Sequence, residues 1–216
     1  MEIIAVFQSS LPLLNLDFAA PHWQAAVVHP IAQTWCGEAA PTALTTTARV
    51  LWTPEEIVFG YECAYTELDV DVEFDVNEER HALWDRDVCE AFIRSPLESD
   101  HRIYKEFEVA PTGQWVDLQI NRIDLTHEWR WQSGMKTAAQ IGAEKWRAAM
   151  VIPFSAFGIA PKLGDVWAAN LFRVSRWHGE RQFLAYAPTF TEKPSYHVPE
   201  RFVALRFVNA EGETDA

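Results

Sequence analysis

Apolar positions along this chain recur mostly with a period of two, in short runs separated by turn residues, and no stretch sustains the period of a long helix. Residues 2–7 alternate weakly and predict an edge or opening strand. Residues 21–26 place Pro21 at a first helical position and predict one helical turn before Val27 and Val28 resume a strand-like run. Residues 45–52 are rich in β-branched side chains. The turn Thr53-Pro54-Glu55-Glu56 follows them and residues 57–65 return, which predicts a hairpin. Residues 68–76 alternate strictly, with Leu68, Val70, Val72, Phe74 and Val76 set against Asp69, Asp71, Glu73 and Asp75. That pattern predicts a half-buried strand with an acidic outer face.

The second half of the run from Leu83 to Ile93 reads as a strand ended by Ser95-Pro96. Val88, Glu90 and Phe92 share one face, and Asp87, Cys89, Ala91 and Ile93 the other. Both faces are mostly apolar, so this strand is expected to be covered on both sides, and a carboxylate there needs donors from the protein or from a ligand. Residues 103–110 and 114–123 flank Pro111-Thr112-Gly113 and predict a second hairpin. Residues 124–145, with Trp129, Trp131, Ser133 and Gly134, suit a twisted strand with a loop. Further strands are expected at 145–152, closed by Pro153, and at 165–175, 182–186 and 202–208, with a short helical turn at 154–158. The acidic tail 209–216 is expected to fray. About ten short strands with at most short helical turns define an all-β chain: one antiparallel β-sandwich, or a partly closed barrel, over residues 1–208.

Composition adds an aromatic surplus, with 10 Trp, 13 Phe and 5 Tyr, more rings than the core needs and enough to leave some for stacking at a surface. A net charge of −13, from 31 acidic and 18 basic residues, opposes nucleic acid and anionic membrane surfaces as partners. No run approaches the ~20 apolar residues that cross a bilayer. The N-terminus carries an acid where a signal peptide carries a basic region, so the expected location is cytoplasmic, or extracytoplasmic if a leader was removed upstream. Cys36, Cys63 and Cys89 are odd in number and widely spaced, which argues against a disulfide framework or zinc knuckles and for three reduced thiols. Phosphate-cradling glycine motifs, Gly-x-Ser-x-Gly, His-Glu-x-x-His and Cys-x-x-Cys are all missing.

The run from Leu83 to Ile93, followed by Tyr104-Lys105-Glu106-Phe107-Glu108-Val109-Ala110-Pro111-Thr112-Gly113, resembles the core of family 9 carbohydrate-binding modules, in their broad bacterial family 9-like branch. Further stretches agree in order: Ala48-Arg49-Val50-Leu51-Trp52, Lys145-Trp146 through Ile152-Pro153-Phe154, Gly164-Asp165-Val166-Trp167 through Val174, and Pro194-Ser195-Tyr196-His197 through Phe202. The resemblance implies an antiparallel sandwich that binds mono-, oligo- or polysaccharide without chemistry, by clamping a glucan or xylan unit or chain end between aromatic rings. It places Trp84 at one clamping ring and Tyr196 near the other, with Asp87 and Glu90 as the acidic pair and Glu90 as a hydroxyl-binding carboxylate. Asn170, Arg173 and His197 are further ligand-binding candidates. Glu108 stands where sugar-binding members carry a basic residue, and a carboxylate cannot donate the same bonds; Val203 stands where they carry glycine. Family members bind structural calcium, for which Asp69, Asp71 and Asp75 are the candidate ligands here.

Plainer roles exist for each residue. Trp84 suits a core, Tyr196 suits a capping hydroxyl, and Glu90 suits a buried bridge to Arg173 or Arg94. Two competing functions are a haem- or redox-associated sandwich, with Met135, His127 and His197 as ligands, and a glycoside hydrolase using Glu90 with Asp87 or Glu106.

Overall fold

The computed structural model describes residues 1–11, 15–128, 130–211 and 213. Trp129 and part of the acidic tail, residues 212 and 214–216, lie outside the described residues. In chain order the strands are β1 (Glu2–Phe7), β2 (Val28–Pro30), β3 (Gln33–Thr34), β4 (Thr46–Trp52), β5 (Glu56–Ala64), β6 (Val88–Arg94) and β7 (Ile103–Val109). They continue with β8 (Trp115–Asn121), β9 (Thr126–Glu128), β10 (Lys136–Ile141), β11 (Lys145–Pro153), β12 (Val166–Trp177), β13 (Glu180–Ala185) and β14 (Val203–Val208). The excess over about ten comes from short pieces such as β2, β3 and β9, which have too few residues to show a period. A helix, α1 (Pro21–Ala25), forms where Pro21 predicts it, and the other helical segments are single 3₁₀ turns.

The strands run β10-β11-β5-β4-β1-β14-β12-β6-β7-β8-β9. The two halves of this order face each other as a sandwich. Alternate residues of β4, β5 and β11, among them Val50, Phe59, Trp146 and Met150, meet Cys89, Ala91, Ile93, Phe107 and Leu171 of β6, β7 and β12 in one core. Fully burying each such large side chain contributes roughly 1.5–3 kcal/mol. Cys63 and Cys89 approach across this core as free thiols that share a hydrogen bond, with Sγ atoms 3.4 Å apart.

Pairing is antiparallel except at β1, which runs parallel to both β14 and β4. The predicted edge strand is therefore central: its partners lie far along the chain, where local alternation carries no information about them. The run 68–76 is not a strand but a loop. Asp71 and Asp75 bond backbone N–H groups two residues on, the habit of aspartate in turns. Of the acids that an alternating strand would line up on one repelling face, Asp69 and Asp71 are answered by arginines instead.

Both sandwich halves are covered on their outer faces as well. Against β4, β5 and β11 lie Phe18 and Trp23 of the α1 region, and the Trp23 ring rests directly on Gly60. Over β6, β7, β8 and β12 folds the stretch around residues 183–202. This second covered face holds the site.

Candidate functional site

Register sets the floor of the site. Glu90 of β6 pairs with Glu108 of β7, and Phe92 pairs with Glu106, so three carboxyl groups of two neighbouring strands project from the same face. Each of the three offers an oxygen within 4.8 Å of the others. Relative exposures are 2% for Glu90, 3% for Glu106 and 0% for Glu108. Among the described residues, no donor reaches Oε1 of Glu90, Oε2 of Glu106 or either oxygen of Glu108. Burial, followed by repulsion from its neighbours, holds Glu108 well above the usual carboxylate range. Glu90 is held there by burial and by Glu106, against a pull from Arg181. Burial pushes Glu106 up to about 7.

A cavity of about 300 Å³ opens above Glu90 and Glu106, at the small end of the range for small-molecule sites. Trp84, Phe183 and Tyr196 wall it, with Phe92, Leu118, Ile120 and Val174 on the sheet and His127, His197 and Pro194 toward solvent. Trp84 comes from a 3₁₀ turn at Leu83–Asp85, entered through Ala82 in the left-handed region at φ 63°. Its ring is half-buried and meets His81 edge-on at 5.0 Å. Tyr196 is stacked on Phe172, with centroids 4.0 Å apart and planes 11° apart, and its hydroxyl donates to the Arg173 carbonyl at 2.9 Å. One of its faces is thus spent on the protein.

His197 Nδ1 and the Tyr104 hydroxyl share a hydrogen bond of 2.8 Å. Burial, then the charge of Arg122, lowers the His197 pKa to about 4, so the ring is neutral although Glu106 Oε2 lies 3.9 Å away. Arg181, on β13, donates to the Trp84 carbonyl, sits 3.6 Å from Asp85 and lies over the Phe183 ring at 5.0 Å.

The structure therefore gathers Trp84, Glu90, Tyr196 and His197 around one cavity, with Glu108 behind its floor. The other candidates lie elsewhere. Asp87 accepts from the backbone N–H groups of Asp69 and Arg176, at 2.6 and 3.2 Å, and pins the acidic loop to β12. Asn170 is tied to the backbone of Ala187 and Leu171. Arg173 points into the sandwich interior, where it donates to the carbonyls of Leu44 and Ala64 and to the hydroxyls of Thr46 and Ser175. Asp69 is clasped by Arg86 and Arg176, Asp71 by Arg80, and Asp75 bonds Asn77 in its own turn. Met135 is buried in the central core, on the opposite side of the sheet from His127 and His197. Arg181 and Phe183 were not candidates from the sequence; their shared parity on β13 was the available signal.

A β-sandwich with a half-buried indole over a carboxyl floor defines a small-molecule binding module with the chemistry to recognise polyols. The family is definite: residues 45–207 match the model of carbohydrate-binding family 9, and the chain belongs to that family. Three solved structures share the fold. A protein from Bacteroides uniformis, described as carbohydrate-binding, superposes with a TM-score of 0.76 at 18% identity, covering 95% of this chain and 98% of its own. A family 9 module from Caldicellulosiruptor kristjanssonii in complex with cellotriose gives 0.70 at 10% identity, covering 97% and 94%. The module from that organism in complex with glucose gives 0.67 at 10%, covering 99% and 98%. No curated protein matches the sequence.

Proposed function

We propose that this protein binds carbohydrate without transforming it, seating one pyranose unit, or a chain end of a glucan or xylan, against Trp84. The observation that carries this reading is the cavity itself: a half-buried indole and two buried carboxyls face the same 300 Å³ space. A pyranose has weakly apolar C–H faces and a rim of hydroxyls. The face suits the Trp84 ring, and the hydroxyls suit Glu90, Glu106 and His197. Ring stacking of this kind contributes on the order of 1 kcal/mol beyond area burial, which suits weak to moderate affinity. The cellotriose and glucose complexes of the Caldicellulosiruptor modules support the saccharide class.

Binding fits better than hydrolysis. Glu90 and Glu106 stand side by side on one floor instead of flanking a bond, and Asp87 is engaged elsewhere by backbone donors. Titration with cello- and xylo-oligosaccharides should change tryptophan fluorescence, and Trp84→Ala should abolish the response. Full affinity in that variant would refute the placement of the sugar.

A further inference from the structure

We propose that this pocket selects an amino sugar, a pyranose whose free ammonium group is held by Glu90 and Glu106 with Glu108 behind them. The proposal rests on the carbohydrate reading above and names the class of sugar. Three carboxyl groups, each more than nine-tenths buried, meet on one floor, and four of their oxygens have no protein donor. Buried carboxylates without donors are costly, and natural sites supply a partner. Two of these three side chains line the cavity, so the partner arrives through it.

Among the described residues, no side chain bonds those four oxygens, although the charge of Arg181 pulls on Glu90. Arg181 is a charged donor on the cavity wall; its terminal nitrogens are directed to the Trp84 carbonyl and to Asp85, its plane lies over Phe183, and its buried Nε bonds none of the three carboxyls. His197 spends Nδ1 on Tyr104 and is neutral. Lys105 sits between Glu106 and its neighbours in sequence but points to the opposite face of β7, bonding Gln119 and lying 5.0 Å from the Trp131 ring centroid.

A neutral hydroxyl brings one donor hydrogen, whereas an ammonium brings three and a full charge. Hydrogen bonds to ionised partners are roughly twice as strong as neutral ones. Burial and mutual repulsion favour the protonated form of these carboxyls. An entering ammonium keeps its own three protons, pairs with a carboxylate, and the proton that carboxyl carried leaves to solvent. The rings that wall the cavity add a further preference for a cation over a neutral group.

Calorimetric titration tests this with three ligands of equal length: a β-1,4-linked glucosamine trimer, its fully N-acetylated form, and cellotriose. The titrations are run in EDTA at about pH 6, below the range in which ordinary amines lose their proton. The free-amine trimer should bind at least about tenfold more tightly than both others, with heats that change with the ionisation enthalpy of the buffer. In Glu106→Gln the ratio should fall to about one; Glu90→Gln serves as the second variant, with circular dichroism confirming the fold of each. Cellotriose or the acetylated trimer binding as tightly as the amine would overturn the amine claim and leave the carbohydrate reading standing. Absence of binding by all three would overturn both.

Discussion

Replacing Glu106 by glutamine isolates the energetic cost of the carboxyl floor. In the unfolded chain this side chain ionises near its ordinary value of 4.5, whereas burial in the folded protein pushes it up to about 7. Between those values the folded state holds a proton that the unfolded state has released. Stability must therefore fall as pH rises through that window, and it is fully present only below the lower value. One pKa unit corresponds to about 1.4 kcal/mol, so the interval costs on the order of 3 kcal/mol by pH 8. Glutamine keeps the shape and cannot ionise. Its removal of a neighbouring charge also relieves Glu90, which Glu106 repels, so the effect has the same sign there. Urea denaturation of both proteins from about pH 4 to 8 reads the difference directly, because groups common to both and remote from the floor cancel. The expected outcome is a variant that gains on the order of 3 kcal/mol on wild type as pH rises through this window. Parallel pH profiles, or a variant that loses stability more steeply than wild type, would refute the placement of an ionisable, donor-poor carboxyl at this position.

Two further substitutions probe parts of the fold away from the cavity. Gly60→Ala puts a Cβ 2.5 Å from the Trp23 ring, so α1 must shift, and a loss of about 1–3 kcal/mol in denaturation is expected with the sugar response retained. An unchanged midpoint would show that Trp23 does not rest on the sheet. Arg173→Met takes the guanidinium donor from the Ala64 carbonyl and one of two side-chain donors from the Leu44 carbonyl, and should cost on the order of 3 kcal/mol, while the folded fraction binds sugar as before. Loss of affinity without loss of stability would instead return Arg173 to the pocket.

Strands with a strict period and a turn at each end were legible, as with the β4–β5 and β7–β8 hairpins. The same cue misled at 68–76, because alternating aspartates look alike whether they face water from a strand or bond their own backbone in turns. In the site, Trp84 and Glu90 were readable because a carboxylate on a strand apolar on both faces demands a partner. The parity of Arg173 with Trp167, Ala169 and Leu171 already placed it on the core face of β12, a signal that its charge obscured. The floor itself was half legible. Glu106 and Glu108 share a face by alternation, but their meeting with Glu90 depends on register, which is a property of the pair of strands and not of either sequence.

The position of β1 bears on how the protein is made. Its register sets Glu2 beside Ala204 and Val6 beside Val208, so β1 lies against the described strand furthest from it in sequence. Until β14 emerges, the seam joining the two halves of the sandwich is missing one of its strands, and the nascent chain carries an unpaired β edge while the strands between β1 and β14 are made. Closure of such a distant contact makes folding slow and exposes the chain to misassembly in the interval. Truncation after β13 should thus yield an aggregating chain rather than a smaller sandwich, even though the cavity would already have been translated except for the covering stretch that ends at His197.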